Sequence, residues 1–175
     1  MTRGTLCGAG ALVCFLVHAG VHVVNNRAPE AFWICTLASI WIGVGGLLSS
    51  PALIAVGVSW VVYGTPLWLL DLLTGGELLP SSLLTHVLAP GLGLFALARM
   101  GWPPGTWWRA FAAALVALAL SRAFLPREKN VNLVFAVPSG WDKTFPSHPL
   151  YLALLLAGSL VVFVLVELGG KRAFR

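Results

Sequence analysis

Apolar residues run along the chain in six blocks, and each block ends in polar or turn-forming residues. Residues 5–24 stop at Asn25-Asn26-Arg27, 32–48 at Ser49-Ser50-Pro51, and 52–73 at Thr74-Gly75-Gly76-Glu77. Residues 82–100 stop at Gly101-Trp102-Pro103-Pro104-Gly105, and 107–125 at Pro126-Arg127-Glu128-Lys129-Asn130. Residues 149–168 are followed by the basic tail Lys171-Arg172-Ala173-Phe174-Arg175. A helix crossing a bilayer needs ~20 mostly apolar residues, and Gly-Gly, Pro-Pro-Gly and Ser-Ser-Pro are strong helix breakers. The pattern predicts an all-α fold, a polytopic transmembrane helical bundle of about six spans forming a single domain over 1–175. The first apolar run carries His18 and His22 and shows no small-x-small cleavage site, so it reads as a span rather than a removed signal peptide.

Composition agrees with the pattern. Hydrophobic residues make up 58% of the 175 positions and charged residues 10%, with a positive mean hydropathy of +0.89. A water-soluble domain carries ~25% charged residues, so lipid must cover most of this surface. Cys7, Cys14 and Cys35 all fall in apolar runs and give no disulfide framework. The net charge of +5 has no soluble basic surface behind it and does not point to nucleic acid. Six spans place Arg3, Arg99, Arg109, Lys171, Arg172 and Arg175 on one side with both termini. Arg27, Arg122, Arg127, Lys129 and Lys143 fall on the other side, with Glu30, Asp71, Glu77, Glu128 and Asp142. The positive-inside rule then puts both termini in the cytoplasm, consistent with a bacterial inner membrane. Trp102, Trp107 and Trp108 are expected in one interfacial belt, and Trp33, Trp68 and Trp141 in the other.

The polar residues collect at the outer ends of the spans. His18 and His22 lie late in the first, Asp71 and Arg122 close the third and fifth, and His86 and His148 open the fourth and sixth. Ionisable groups inside a membrane cost at least ~2.5 kcal/mol when central and unpaired, so they mark an interior polar pocket; the ordinary preference of polar residues for span ends is the alternative. The connecting segment after Pro126 lies on the same side and adds Glu128, Asn130, Asn132 and Asp142. Long loops are often functional, and this one reads either as a lid over the pocket or as a folded connector. Asn130 and Asn132 are expected to bond its own backbone. Cys14, His18 and His22 share one helix face. That face suits either metal or haem ligation or hydrogen bonds between helices. No second ligand pair at fixed spacing accompanies it, so no metal or cofactor is assigned.

Thr36 and His86 open the second and fourth spans and so sit at similar depth. A hydroxyl nucleophile needs a base, although a threonine in a membrane helix more often bonds its own backbone. The segment Phe32-Trp33-Ile34-Cys35-Thr36-Leu37, with Leu70-Asp71 through Leu83-Leu84-Thr85-His86 to Pro90 and Phe95, resembles the androgen-induced, androgen-dependent family of membrane hydrolases. That family is a six-helix bundle that cleaves fatty-acid esters of hydroxy fatty acids with a threonine and a histidine in those two spans. The resemblance implies Thr36 as nucleophile and His86 as base. The loop, with Glu128-Lys129-Asn130-Val131-Asn132 and Trp141-Asp142, resembles bacterial integral membrane proteins of unknown function. Pro126-Arg127-Glu128 is similar to a proline-x-glutamate element of some carotenoid cyclases, without the rest of that motif.

The expectation is a lipid-ester hydrolase or acyl-transfer enzyme with membrane lipids as partners and a lipid substrate. The alternatives are a non-enzymatic component, either a small transporter-like bundle or an accessory subunit bound to a partner membrane protein or a second copy, and a His-ligated metal or haem protein. Gly4 and Gly8, with Gly43, Gly45 and Gly46, predict close helix packing. Pro66 and Pro90 predict kinks.

Overall fold

The computed structural model describes residues 3–174, and Arg175, counted above with the basic residues of the termini, lies outside them. Six α-helices follow one another: α1 Arg3–Val24, α2 Ile34–Leu47, α3 Pro51–Leu73, α4 Ala89–Met100, α5 Thr106–Phe124 and α6 His148–Ala173. A π-helical turn, Leu84–Leu88, leads into α4, and short 3-10 turns cover Ala28–Phe32, Arg127–Lys129 and Val131–Leu133. The described residues hold no strand. Four helices, α1, α3, α5 and α6, are long and apolar enough to cross a membrane; Ile34–Leu47 and Leu84–Met100 are shorter apolar helices.

The residue sizes are distributed inside out. Leu16, Val24, Leu73, Phe124 and Leu165 are exposed, while glycine and alanine fill much of the interior. Association of helices in lipid gains nothing from burying apolar surface, so it relies on close van der Waals approach of small residues. The α1–α2 seam shows this directly. A Cβ on Gly8 would stand 2.6 Å from Gly43 O, and one on Gly46 would stand 2.6 Å from the Gly8 Cα. On the other face of α2, a Cβ on Gly57 of α3 would meet Ala38 O at 2.5 Å.

Two cores result. Cys7, Ala11, Cys14, Ile42, Ile54, Val58, Ala89 and Leu97 join α1 to α4. Ala38, Val56, Trp60, Val61, Ala110, Ala114 and Phe163 join α2 and α3 to α5 and α6. Polar pins cross the second core: Trp60 Nε1–H donates to Ala110 O at 2.9 Å, and the Tyr63 hydroxyl to Leu155 O at 2.9 Å. At the end of the bundle that carries the termini, the Glu167 carboxylate accepts from Gly105 N and Trp107 N, each at 3.0 Å, and so satisfies orphan donors at the start of α5. Trp102 is buried and stacked on Phe174, and its backbone N–H bonds Phe174 O at 3.0 Å, which holds the ring under the C-terminal turn.

Gly46→Ala is expected to lower stability by about 1–3 kcal/mol through overpacking. Gly20→Ala, where nothing lies within 4 Å, is expected to leave stability unchanged or raise it by up to ~1 kcal/mol through helix propensity. Unfolding midpoints of the two variants in the same detergent check this.

Candidate functional site

All four histidines lie at the second end of the bundle, His148 at the start of α6 against the loop and the other three on α1 and the turn before α4. His18 and His22 sit one turn apart on the buried face of α1. Their rings meet edge to face with centroids 4.6 Å apart, and the two Nε2 atoms are 3.2 Å apart. His18 Nδ1 lies 2.8 Å from the Ser81 hydroxyl. His22 Nδ1 makes no hydrogen bond and lies 3.9 Å from Glu30 Oε2. The other oxygen of Glu30 accepts from Lys129 Nζ at 3.1 Å. A polar chain therefore runs from Ser81 through His18, His22 and Glu30 to Lys129. The facing Nε2 atoms of the two rings are within hydrogen-bond distance of each other, and among the described residues no group of three or more His, Cys, Asp or Glu side chains is close enough to hold a metal ion.

His86 owes its setting to Pro90. Proline four residues on has no N–H for the His86 carbonyl, and its ring crowds that carbonyl. The helix widens instead, so that Ala89 N–H reaches back to Leu84 O, a five-residue step. Turns of this kind recur at functional sites. The His86 side chain is buried and stacked on the Trp68 indole, with centroids 4.4 Å apart and planes 13° apart. Trp68 is half-buried and lays its ring on the flat face of the imidazole. His86 Nδ1 lies 3.0 Å from Ser82 O and 3.3 Å from Thr85 Oγ1, and Nε2 is buried with no partner. His86 is within electrostatic range of His18.

Thr36 is buried in the first turn of α2, where its backbone N–H donates to Trp33 O at 2.9 Å. Among the described residues no hydrogen bond joins Thr36 to His86. Similar depth in the bundle does not set the angle at which each helix presents its side chain.

Most of the other expected pocket residues serve the loop. Asn130 holds the loop's own backbone as expected, accepting from Phe135 N at 3.0 Å and Ala136 N at 3.1 Å and donating to Ala136 O at 2.9 Å. Asn132 departs from that expectation. Its carbonyl accepts from Ile34 N at 2.8 Å, and its amide donates to Phe32 O at 3.0 Å and to Ser121 Oγ at 2.8 Å. Left-handed φ values of 43° at Asn130, 56° at Asn132 and 59° at Leu133 coil this segment tightly, and asparagine tolerates that region well. The coil delivers Asn132 to the first turn of α2. Arg122 donates to Val134 O at 2.6 Å and lies over the Phe135 ring, and His148 Nε2–H donates to Leu133 O at 2.9 Å. Arg122 and His148 are therefore spent on the loop rather than free in a pocket. Asp71, Glu128 and Asp142 are exposed and form no ion pair among the described residues. They stand clear of the histidines because the helix end and loops that carry them face outward. Arg27 pairs with Glu77 at 2.7 Å on the surface, which keeps the guanidinium pKa above its ordinary value.

Ser81 escaped the reading of the sequence altogether. Its place in Ser81-Ser82, just before an apolar run, reads as a helix cap. Glu30 was visible only as a loop charge. The one available signal was the four-residue step from His18 to His22, which points their face at whatever lies beyond the end of α1. An apolar groove of about 440 Å³ lies beside the His86 turn, lined by Leu83, Leu84, Val87, Leu88, Gly91 and Leu92.

No family model, no curated protein and no solved structure matches the chain.

Asn132→Ala removes partners from Ile34 N, Phe32 O and Ser121 Oγ at once. It is expected to cost about 3 kcal/mol, since each buried group left unsatisfied costs ~1–3 kcal/mol. A lowered unfolding midpoint, with faster protease cleavage in the 126–147 segment, is the readout.

Proposed function

We propose that the chain is a six-span enzyme of the bacterial inner membrane, with both termini in the cytoplasm, that cleaves or transfers the acyl group of a lipid ester at its outer-leaflet end. His86 is a general base of the site. The observation that carries this reading is the state of its imidazole. Ser82 O can only accept a hydrogen bond, so Nδ1 carries the ring proton and Nε2 holds the lone pair. That nitrogen is buried and unpartnered. Buried polar groups are nearly always paired, and leaving one unpaired costs ~1–3 kcal/mol. An oriented base awaiting a proton from water or an alcohol accounts for that cost. The Trp68 stack keeps the ring from turning.

The groove of Leu83, Val87, Leu88 and Gly91 supports a lipid substrate, because an acyl chain laid there keeps its ester close to the His86 turn. The resemblance nominates Thr36 as the attacking hydroxyl. This reading of His86 does not depend on it, since the two side chains share no hydrogen bond.

The test is hydrolysis of a panel of lipid esters by the purified protein in nanodiscs. His86→Asn keeps a group able to bond Ser82 O and is expected to lose ~10²–10⁴-fold in turnover. Thr36→Ala is expected to lose as much only if Thr36 carries the acyl group. A wild-type protein that turns over no ester would make this a binding or accessory protein.

A further inference from the structure

The chain of groups from Glu30 to Ser81 has a direction that the distances alone leave open. One order of protons has Ser81 O–H donating to His18 Nδ1, His18 Nε2–H donating to His22 Nε2, and a proton on His22 Nδ1. The reverse order leaves His22 Nδ1 bare. Glu30 decides between them. It accepts from Lys129, and as a carboxylate it can only accept. A bare ring nitrogen 3.9 Å from that carboxylate would set lone pair against negative charge, whereas an N–H there is attracted. His22 Nδ1 is therefore protonated, His22 Nε2 accepts from His18 Nε2–H, and His18 Nδ1 is left to accept from Ser81 at 2.8 Å.

A hydroxyl bonded to a base, with the base oriented by a further group, is the arrangement of an activated nucleophile. We propose that Ser81 is the covalent nucleophile of this site, with His18 as its base and with His22 and Glu30 as positioning residues. The proposal rests on the acyl-transfer reading above and names the group that attacks. Ser81 is half-buried and so open to an incoming ester, while both histidines are closed off from solvent.

In the first step the Ser81 Oγ forms a bond to the acyl carbon, and its proton passes to His18 Nδ1. The charge gained by His18 is shared with His22 and faces the Glu30 carboxylate. The bond from the acyl carbon to the alcohol oxygen then breaks, and the proton leaves with that oxygen. In the second step water or a second alcohol attacks the acyl-serine and gives up its proton to His18 Nδ1; the bond from the acyl carbon to Ser81 Oγ then breaks, and His18 returns that proton to Ser81 Oγ.

An alkyl fluorophosphonate tests this without knowledge of the substrate, since attack by an activated hydroxyl forms a P–O bond and expels fluoride. The full chain in nanodiscs is treated with the probe and the labelled peptide is mapped by mass spectrometry. Label is expected on Ser81 and is expected to vanish in Ser81→Ala, with the unfolding midpoint showing that variant to be folded. Glu30→Gln is expected to slow labelling more than ~10-fold by removing the carboxylate that orients the relay. Glu30→Asp is expected to retain more of the rate, and Glu77→Gln to change nothing. Label on Thr36 with Ser81 unmodified would overturn the assignment and leave the acyl-transfer reading standing. A protein that hydrolyses esters yet takes no label would overturn it equally. Absence of both label and hydrolysis would remove both readings together.

Discussion

The approach of α1 and α2 backbone against backbone at Gly8, Gly43 and Gly46 sets the geometry of everything at the far end of α1. A bundle in lipid has no solvent-driven reason to close, so contact distance between helices is decided by the smallest residues available. Here those residues bring α1 against α2, and α2 against α3 through Gly57 and Ala38. With the near end of α1 clamped, the rotation of the helix is set as well. His18 and His22 then face the interior, where Ser81 and Glu30 meet them.

The two histidine arrangements at this end solve one problem by different means. A buried imidazole has two nitrogens, and its chemistry depends on which one carries the proton. For His86 the answer comes from a backbone carbonyl, that of Ser82. For His18 it comes from a carboxylate two groups away, relayed through His22. The carbonyl is part of the helix and is always in place. The carboxylate sits on the 3-10 turn Ala28–Phe32 and depends on Lys129, from the loop between α5 and α6, to hold it. The loop, pinned by Asn130, Asn132, Arg122 and His148, is thus part of the electrostatics of the site, although none of those four side chains enters it.

Helix positions were legible in the sequence because each apolar run ends in residues that cannot continue a helix, and α1, α3 and α5 stop at the breaks that Asn25, Thr74 and Pro126 announce. The gathering of His18, His22 and His86 at one end was legible for the same reason, since depth follows from distance to a break. Angle does not. Thr36 and His86 share a depth, and no pattern along the chain states whether their helices turn those residues toward each other. Asn132 shows a second limit. Its reach to Ile34 and Ser121 depends on consecutive left-handed residues, a conformation that the loop's composition permits without specifying.

The widened turn before Pro90 has a geometric consequence for the whole of α4. An α-helix advances about 100° per residue, so one additional residue in a single turn offsets the segment before it from the segment after it by about that angle. Leu97 packs in the core beyond the turn, and Thr85 and His86 are buried within it. The angular position of His86 is thereby uncoupled from the packing of the rest of its own helix. The lower part of α4 can be repacked without turning the imidazole, while the identity of residue 90 acts on its orientation from a full turn away.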